Sequence, residues 1–324
     1  MLSINEIRSI TFGAIDVFEK DGRAHFSRFE GSAKEHYGRV GTTSSSVILD
    51  FITDASAISF NYYATKIIDR SHCFFDVYEN GVLIGHVGKF FEGEEQILEG
   101  SYTATLSEGK KRITVYLPNL HDGAVSSIEL SSASFFERVK KDKSLLMLGD
   151  SITHGYDAYF PSLSYANTVI RELDADGINQ AIGGEMFKTD ILPEAATISP
   201  DYITVAYGTN DWSWSGKTLE ECVEKEKAFF AKLKGLYPDA KIFYISPLYR
   251  GDNHRITTLG DFKGAVKAFS EVAREYGAEV IDGVKLIPHS SLMFEDKYLH
   301  PNDLGFTQYA NALLKELALL GLKR

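Results

Sequence analysis

The chain has 324 residues, 44% of them hydrophobic, with 34 Lys and Arg against 45 Asp and Glu, for a formal net charge of −11. That length predicts two domains with room for sizeable cores. The acidic balance argues against nucleic acid and anionic membrane as partners, because both need a basic face.

Cys73 and Cys222 fall in different predicted domains, so no disulfide framework is implied and both read as buried thiols. The first residues, Met1 to Glu6, lack the basic start and apolar run of a signal peptide. No stretch reaches the roughly 18 apolar residues of a membrane span. The expected location is cytoplasmic, and nothing in the sequence supports an oligomer.

Residues 1–140 are rich in short β-branched and aromatic runs between turn residues, such as Val47–Phe51, Ala57–Tyr63 and Arg112–Leu117. Phe74–Tyr78 and Val82–Val87 flank Asn80-Gly81, a strong hairpin signal. Strands at this spacing, with almost no helical periodicity, predict an antiparallel β-sandwich of jelly-roll type. Its aromatic residues, among them Phe60, Tyr62, Phe74, Phe75, Phe90 and Phe91, read as sandwich core or as a sugar-stacking platform. His25, His36, His72, His86 and His121 show no metal-ligand spacing. The segment 131–143, small residues followed by basic ones, reads as the linker.

Residues 141–324 change pattern to strands alternating with helices. Leu145–Leu148 is a continuous apolar run, as expected of a buried parallel strand. A helix over 164–173 precedes strands at 177–182 and 201–207. Thr218 and Glu221 form a capping-box signature that opens a helix running to about Leu236. A strand at 240–246, a helix from about Leu259 to Tyr276, a strand at 278–281 and a helix from about Asp303 to Leu320 complete the series. The alternation predicts a three-layer α/β/α domain of flavodoxin-like type around a parallel sheet.

Ser151 follows the first of these strands on Gly149-Asp150-Ser151-Ile152-Thr153, where ligands bind in open α/β sheets. A serine hydroxyl needs a base and oxyanion donors before it can act as a nucleophile. The pentapeptide resembles the first block of the SGNH (GDSL-type) hydrolase superfamily, whose nucleophile is that serine. Three further segments resemble the later blocks in the same order, and the resemblance spans about residues 143–324. Asn179 and Gly184 match the second, with Gly183 as the adjacent register; its implied role is a backbone N–H aimed at an oxyanion. Gly208-Thr209-Asn210-Asp211 matches the third, with Asn210 as the implied side-chain donor. His300, followed by Pro301-Asn302, matches the fourth as the implied base. Here the chain departs from the family pattern: Lys297 stands three residues before the histidine and Asp296 stands four before. Either Asp296 reaches the imidazole through a bulge, or a main-chain carbonyl orients it.

His154 reads as lining the pocket and Asp150 as fixing the turn. Trp212 and Trp214 read as substrate-stacking residues or as a cover over the sheet edge. The resemblance implies a serine esterase that needs no metal or cofactor. A β-sandwich ahead of such a domain is similar in layout to acetyl esterases acting on carbohydrates. The expected organisation is therefore an accessory sandwich, 1–140, and a catalytic domain, 141–324, with a small-molecule or oligosaccharide ester as substrate. The alternatives are a catalytically impaired carbohydrate-binding protein on the same frame, and a lipase or thioesterase.

Overall fold

In the first half the alternating runs pair as two antiparallel sheets. The computed structural model describes residues 1–323. One sheet has the order Thr11–Phe12, Ile48–Thr53, Lys111–Tyr116, His72–Glu79, Val82–Phe90, with Phe136–Arg138 also paired to Ile48–Thr53. The other has the order Asp16–Lys20, Arg23–Ser27, His121–Ser131, Ala57–Lys66, Ile97–Thr105. Side chains alternate across a strand, so Leu49, Phe51, Phe75 and Val77 from the first sheet meet Ile58 and Phe60 from the second in one core. Asn80 at φ 49° and Gly81 at φ 81° form the hairpin turn, both in the left-handed region that such two-residue turns require. Phe60, Phe75 and Phe91 are buried, whereas Phe90 is exposed.

Two features differ from expectation. Short helices form at Ile4–Ile10 and Gly31–Tyr37; the first has a full capping box between Ser3 and Glu6 and buries Ile7 and Ile10. Within the segment read as a linker, Phe136–Arg138 adds a strand, and the Phe136 ring packs against Phe51 at 5.4 Å between centroids.

In the second half the strands form a parallel sheet, with Asp176–Asn179 beside Ser144–Gly149, then Tyr202–Ala206, Lys241–Ile245 and Glu279–Ile281. In chain order this is 2-1-3-4-5. Helices Tyr165–Leu173 and Asp303–Leu319 share one core with Met147, Phe243 and Ile245. On the opposite face, Phe229, Phe230 and Phe269, from helices Leu219–Leu236 and Phe262–Glu275, meet Tyr244 and Phe187. Phe243 and Tyr244 thus point to opposite layers, as neighbours on a strand must. Thr218 and Glu221 form the capping box expected of them. The next helix starts at Phe262 rather than near Leu259, because Asp261 caps it, accepting the Gly264 N–H at 2.8 Å.

The chain divides into two compact units: residues 1–30, 37–141 and 159–162 in the first, and residues 31–36, 142–158 and the chain from 163 onward in the second. Within the second, the strand order reverses beside Ser144–Gly149. That reversal opens a crevice at the carboxyl ends of the Ser144–Gly149 and Tyr202–Ala206 strands.

Candidate active site

Ser151 opens a one-turn helix, Ser151–His154, at that crevice. Asp150 caps it by accepting the Ile152 N–H at 3.0 Å. Burial pushes the Asp150 carboxyl up to about 6 despite that bond and the nearby His300 and Arg250. Gly149 allows the turn to close tightly, since a Cβ there would lie 2.1 Å from Thr153 Oγ1.

His300 Nε2 is 2.9 Å from Ser151 Oγ, and His300 Nδ1 is 2.8 Å from Asp296 Oδ2. An ionised carboxylate only accepts, so Nδ1 carries the proton and Nε2 is left free to accept from the serine. The long Asp296–His300 spacing is taken up locally. Lys297 adopts φ 73°, the Glu295 N–H donates to the His300 carbonyl at 2.9 Å, and Phe294 bridges Pro301. Asp296 Oδ1 accepts the N–H groups of Tyr298, Leu299 and His300 at 3.1, 2.8 and 3.1 Å. Burial works to raise the Asp296 carboxyl, but the His300 bond and the Leu299 and Tyr298 N–H groups outweigh it and bring it down to about 2. Tyr156 stacks on the His300 imidazole at 5.5 Å between centroids.

The two candidate glycines of the second block differ. The Gly183 N–H is engaged, donating to His154 Nδ1 at 3.2 Å. A Cβ on Gly183 would meet Tyr156 Oη at 2.2 Å. Gly184, at φ 80°, has an N–H with no intramolecular hydrogen bond among the described residues. Asn179 ties this loop to the serine's turn by donating Nδ2 to the Thr153 carbonyl at 2.7 Å.

Asn210 lies in helix Thr209–Trp214, entered through Gly208 at φ 110°. Its Nδ2 donates to the Glu185 carbonyl at 3.0 Å, and its Oδ1 accepts the Trp214 indole N–H at 3.2 Å. The next residue, Asp211, accepts the Phe187 N–H at 3.3 Å. Burial pushes the Asp211 carboxyl up to about 7.

Ser151, His300 and Asp296 therefore form one hydrogen-bonded chain. Gly184 and Asn210 lie on segments joined through Glu185, and the Gly183–His154 bond ties their loop to the serine's turn. His154 is buried and faces Gly183 rather than serving the serine. Trp212 is core, its N–H donating to the Gly260 carbonyl at 3.2 Å. Tyr156 and Glu185 were not legible as site residues. Tyr156 sits in a loop with no periodic pattern, and Glu185 acts through its main chain, which no residue type advertises. Among the described residues, no group of three or more His, Cys, Asp or Glu is placed to hold a metal ion, and no helix is long and apolar enough to cross a membrane.

Residues 147–307 match the GDSL-like Lipase/Acylhydrolase family, a span that includes the serine, the Asn210 block and the histidine. The chain belongs to the SGNH (GDSL-type) hydrolase superfamily and is an SGNH-type ester hydrolase. No curated protein sequence matches it. Among solved structures it is similar to a salicylyl-acyltransferase, SsfX3, from a tetracycline biosynthetic pathway, with a TM-score of 0.80, 20% identity and coverage of 96% of this chain and 94% of that one. It is similar to a family two carbohydrate esterase from Cellvibrio japonicus, with a TM-score of 0.66, 15% identity and coverage of 96% and 94%. It is also similar to a family two carbohydrate esterase from Clostridium thermocellum, solved in complex with cellohexaose, with a TM-score of 0.60, 18% identity and coverage of 86% and 94%. At these identities the likeness is one of fold.

Proposed function

We propose that Ser151 is the nucleophile of a carboxylic ester hydrolase, that His300 is its base, that Asp296 orients the base, and that the substrate is an acetylated sugar or oligosaccharide. The observation that carries this reading is the unbroken chain from Ser151 Oγ through both His300 nitrogens to the Asp296 carboxylate. His300 Nε2 takes the serine proton as Oγ attacks the ester carbonyl. The Gly184 N–H, the Asn210 side chain and the Ser151 N–H stabilise the oxyanion. His300 then gives its proton to the leaving alcohol. Water, deprotonated by His300, attacks the acyl-serine, releases the acid and restores the hydroxyl. Each step uses only side chains, backbone N–H groups and water.

The acetyl-sugar assignment draws on layout and on the carbohydrate esterases that share the fold. Residues 1–140 would then serve as an accessory domain to a catalytic domain at 141–324. Because Asp296 meets His300 despite its displaced position, the feature that favoured an impaired, sugar-binding frame loses its force.

Hydrolysis of p-nitrophenyl acetate and of acetylated xylo-oligosaccharides by the wild type and Ser151→Ala tests the proposal. Loss of a nucleophile in such a triad lowers kcat by about 10⁴-fold or more. Equal turnover by the two proteins would reject the assignment. Activity on the nitrophenyl ester without any on the acetylated sugars would reject the substrate class alone.

A further inference from the structure

We infer that Trp214 is a positioning residue for the oxyanion site, holding the Asn210 amide in the one orientation that leaves an N–H for the substrate. The inference rests on the proposed hydrolysis at Ser151.

The amide of Asn210 has two faces that differ in sign. Turned one way it offers an N–H to a developing oxyanion; flipped, it offers a carbonyl oxygen, which repels that charge. Two contacts fix the choice. The Trp214 indole N–H can only donate, and it meets Oδ1 at 3.2 Å. The Glu185 carbonyl can only accept, and it meets Nδ2 at 3.0 Å. A flip would set donor against donor and acceptor against acceptor in a buried place, since Asn210 itself is buried. With Oδ1 and one amide hydrogen engaged, a single N–H is left over.

The helix supplies the geometry. Asn210 and Trp214 stand four residues apart on Thr209–Trp214 and so share one face. Trp214 is 60% exposed, so packing does not account for its indole as it does for the neighbouring Trp212. Its six-membered ring also flanks the other proposed donor, since a Cβ on Gly184 would lie 3.7 Å from Trp214 Cζ2. One side chain thus braces Asn210 through its N–H and stands beside Gly184 with its ring.

The test compares Trp214→Phe, Trp214→His, Asn210→Ala and the double variant Asn210→Ala/Trp214→Phe with p-nitrophenyl acetate as substrate, with folding checked by circular dichroism. Removing an oxyanion donor outright lowers kcat by about 10²- to 10³-fold, so losing only its orientation is expected to lower kcat by about 10-fold, with KM within about twofold. Trp214→His, which keeps a ring N–H, is expected to retain more kcat than Trp214→Phe. A purely structural role for the ring predicts the opposite order, because Phe is the better apolar replacement. The double variant is expected to be no worse than Asn210→Ala alone, since Trp214 acts through Asn210. Wild-type kcat in Trp214→Phe, the reverse order of Phe and His, or losses that multiply in the double variant would each overturn the inference. An unaltered rate in Ser151→Ala would instead overturn the hydrolysis on which it rests.

Discussion

Asp296 shows how one residue too many can be absorbed without moving a functional group. The family pattern places the acid three residues before the histidine, whereas here it stands four before. Lys297 takes up the difference at φ 73°, a region that disfavours residues with a Cβ. The three N–H groups converging on Asp296 Oδ1 hold the result. Lys297→Gly is therefore expected to keep full kcat and to change stability by less than about 1 kcal/mol, because eased backbone strain offsets the greater freedom of glycine in the unfolded chain. Lys297→Pro, which fixes φ near −65°, is expected to lower kcat nearly as far as Asp296→Ala, about 10²- to 10⁴-fold. Steady-state kinetics of the three variants would check this, and an active Lys297→Pro would contradict it. The acid was legible in the sequence as a candidate, but its reach was not, because lysine carries no mark of a left-handed turn.

At the scale of elements, the local signals that proved legible are those with a fixed chemical form. The Thr218–Glu221 capping box, the Asn80-Gly81 hairpin and the apolar run Leu145–Leu148 all became the elements they imply. The Ser3–Glu6 box carries the same signature as Thr218–Glu221, but the helix it opens has only 7 residues and lies among strands, where two turns leave little periodicity to read. Phe136–Arg138 is strand because Phe136 finds Phe51 across the ladder, a partner far away in sequence. Thr218→Ala is expected to destabilise the protein by about 1 kcal/mol while leaving kcat unchanged, since the cap stabilises its helix and touches no site residue. A denaturant titration with parallel kinetics measures both; a fall in kcat at full folding would show that this helix does more than support the sheet.

Across the whole molecule, each half buries its own core and acids within it, Asp50 and Asp76 in the first and Asp150, Asp211 and Glu226 among those in the second. Glu226 lies on the inner face of Leu219–Leu236 with Cys222, Phe229 and Leu233, a spacing that could have marked it in the sequence as a charge on an apolar stripe. Neither of its carboxyl oxygens has a hydrogen-bond partner among the described residues, and burial, then the Asp211 and Glu275 charges, push it up to about 10. The folded protein keeps this proton where the unfolded chain releases it, so stability falls as pH rises from the ordinary carboxylate range toward 10. Asp150 and Asp211, raised to about 6 and about 7, act in the same direction over narrower windows. Asp296 acts oppositely: its contribution is present above the ordinary carboxylate pKa and is lost as pH falls toward about 2. Glu226→Met, close in volume, is expected to stabilise by about 1 to 3 kcal/mol at neutral pH, with a gain in Tm that grows between pH 5 and pH 9. A gain that shrinks with pH would contradict the buried neutral acid.

The central claim, that one serine is made nucleophilic by the chain running to Asp296, is tested most directly by mass spectrometry after exposure to a fluorophosphonate. The account predicts a single covalent adduct on the wild type, mapped to Ser151, absent in Ser151→Ala and formed far more slowly in His300→Ala. An unlabelled wild type, or an adduct that maps elsewhere and survives Ser151→Ala, would contradict it.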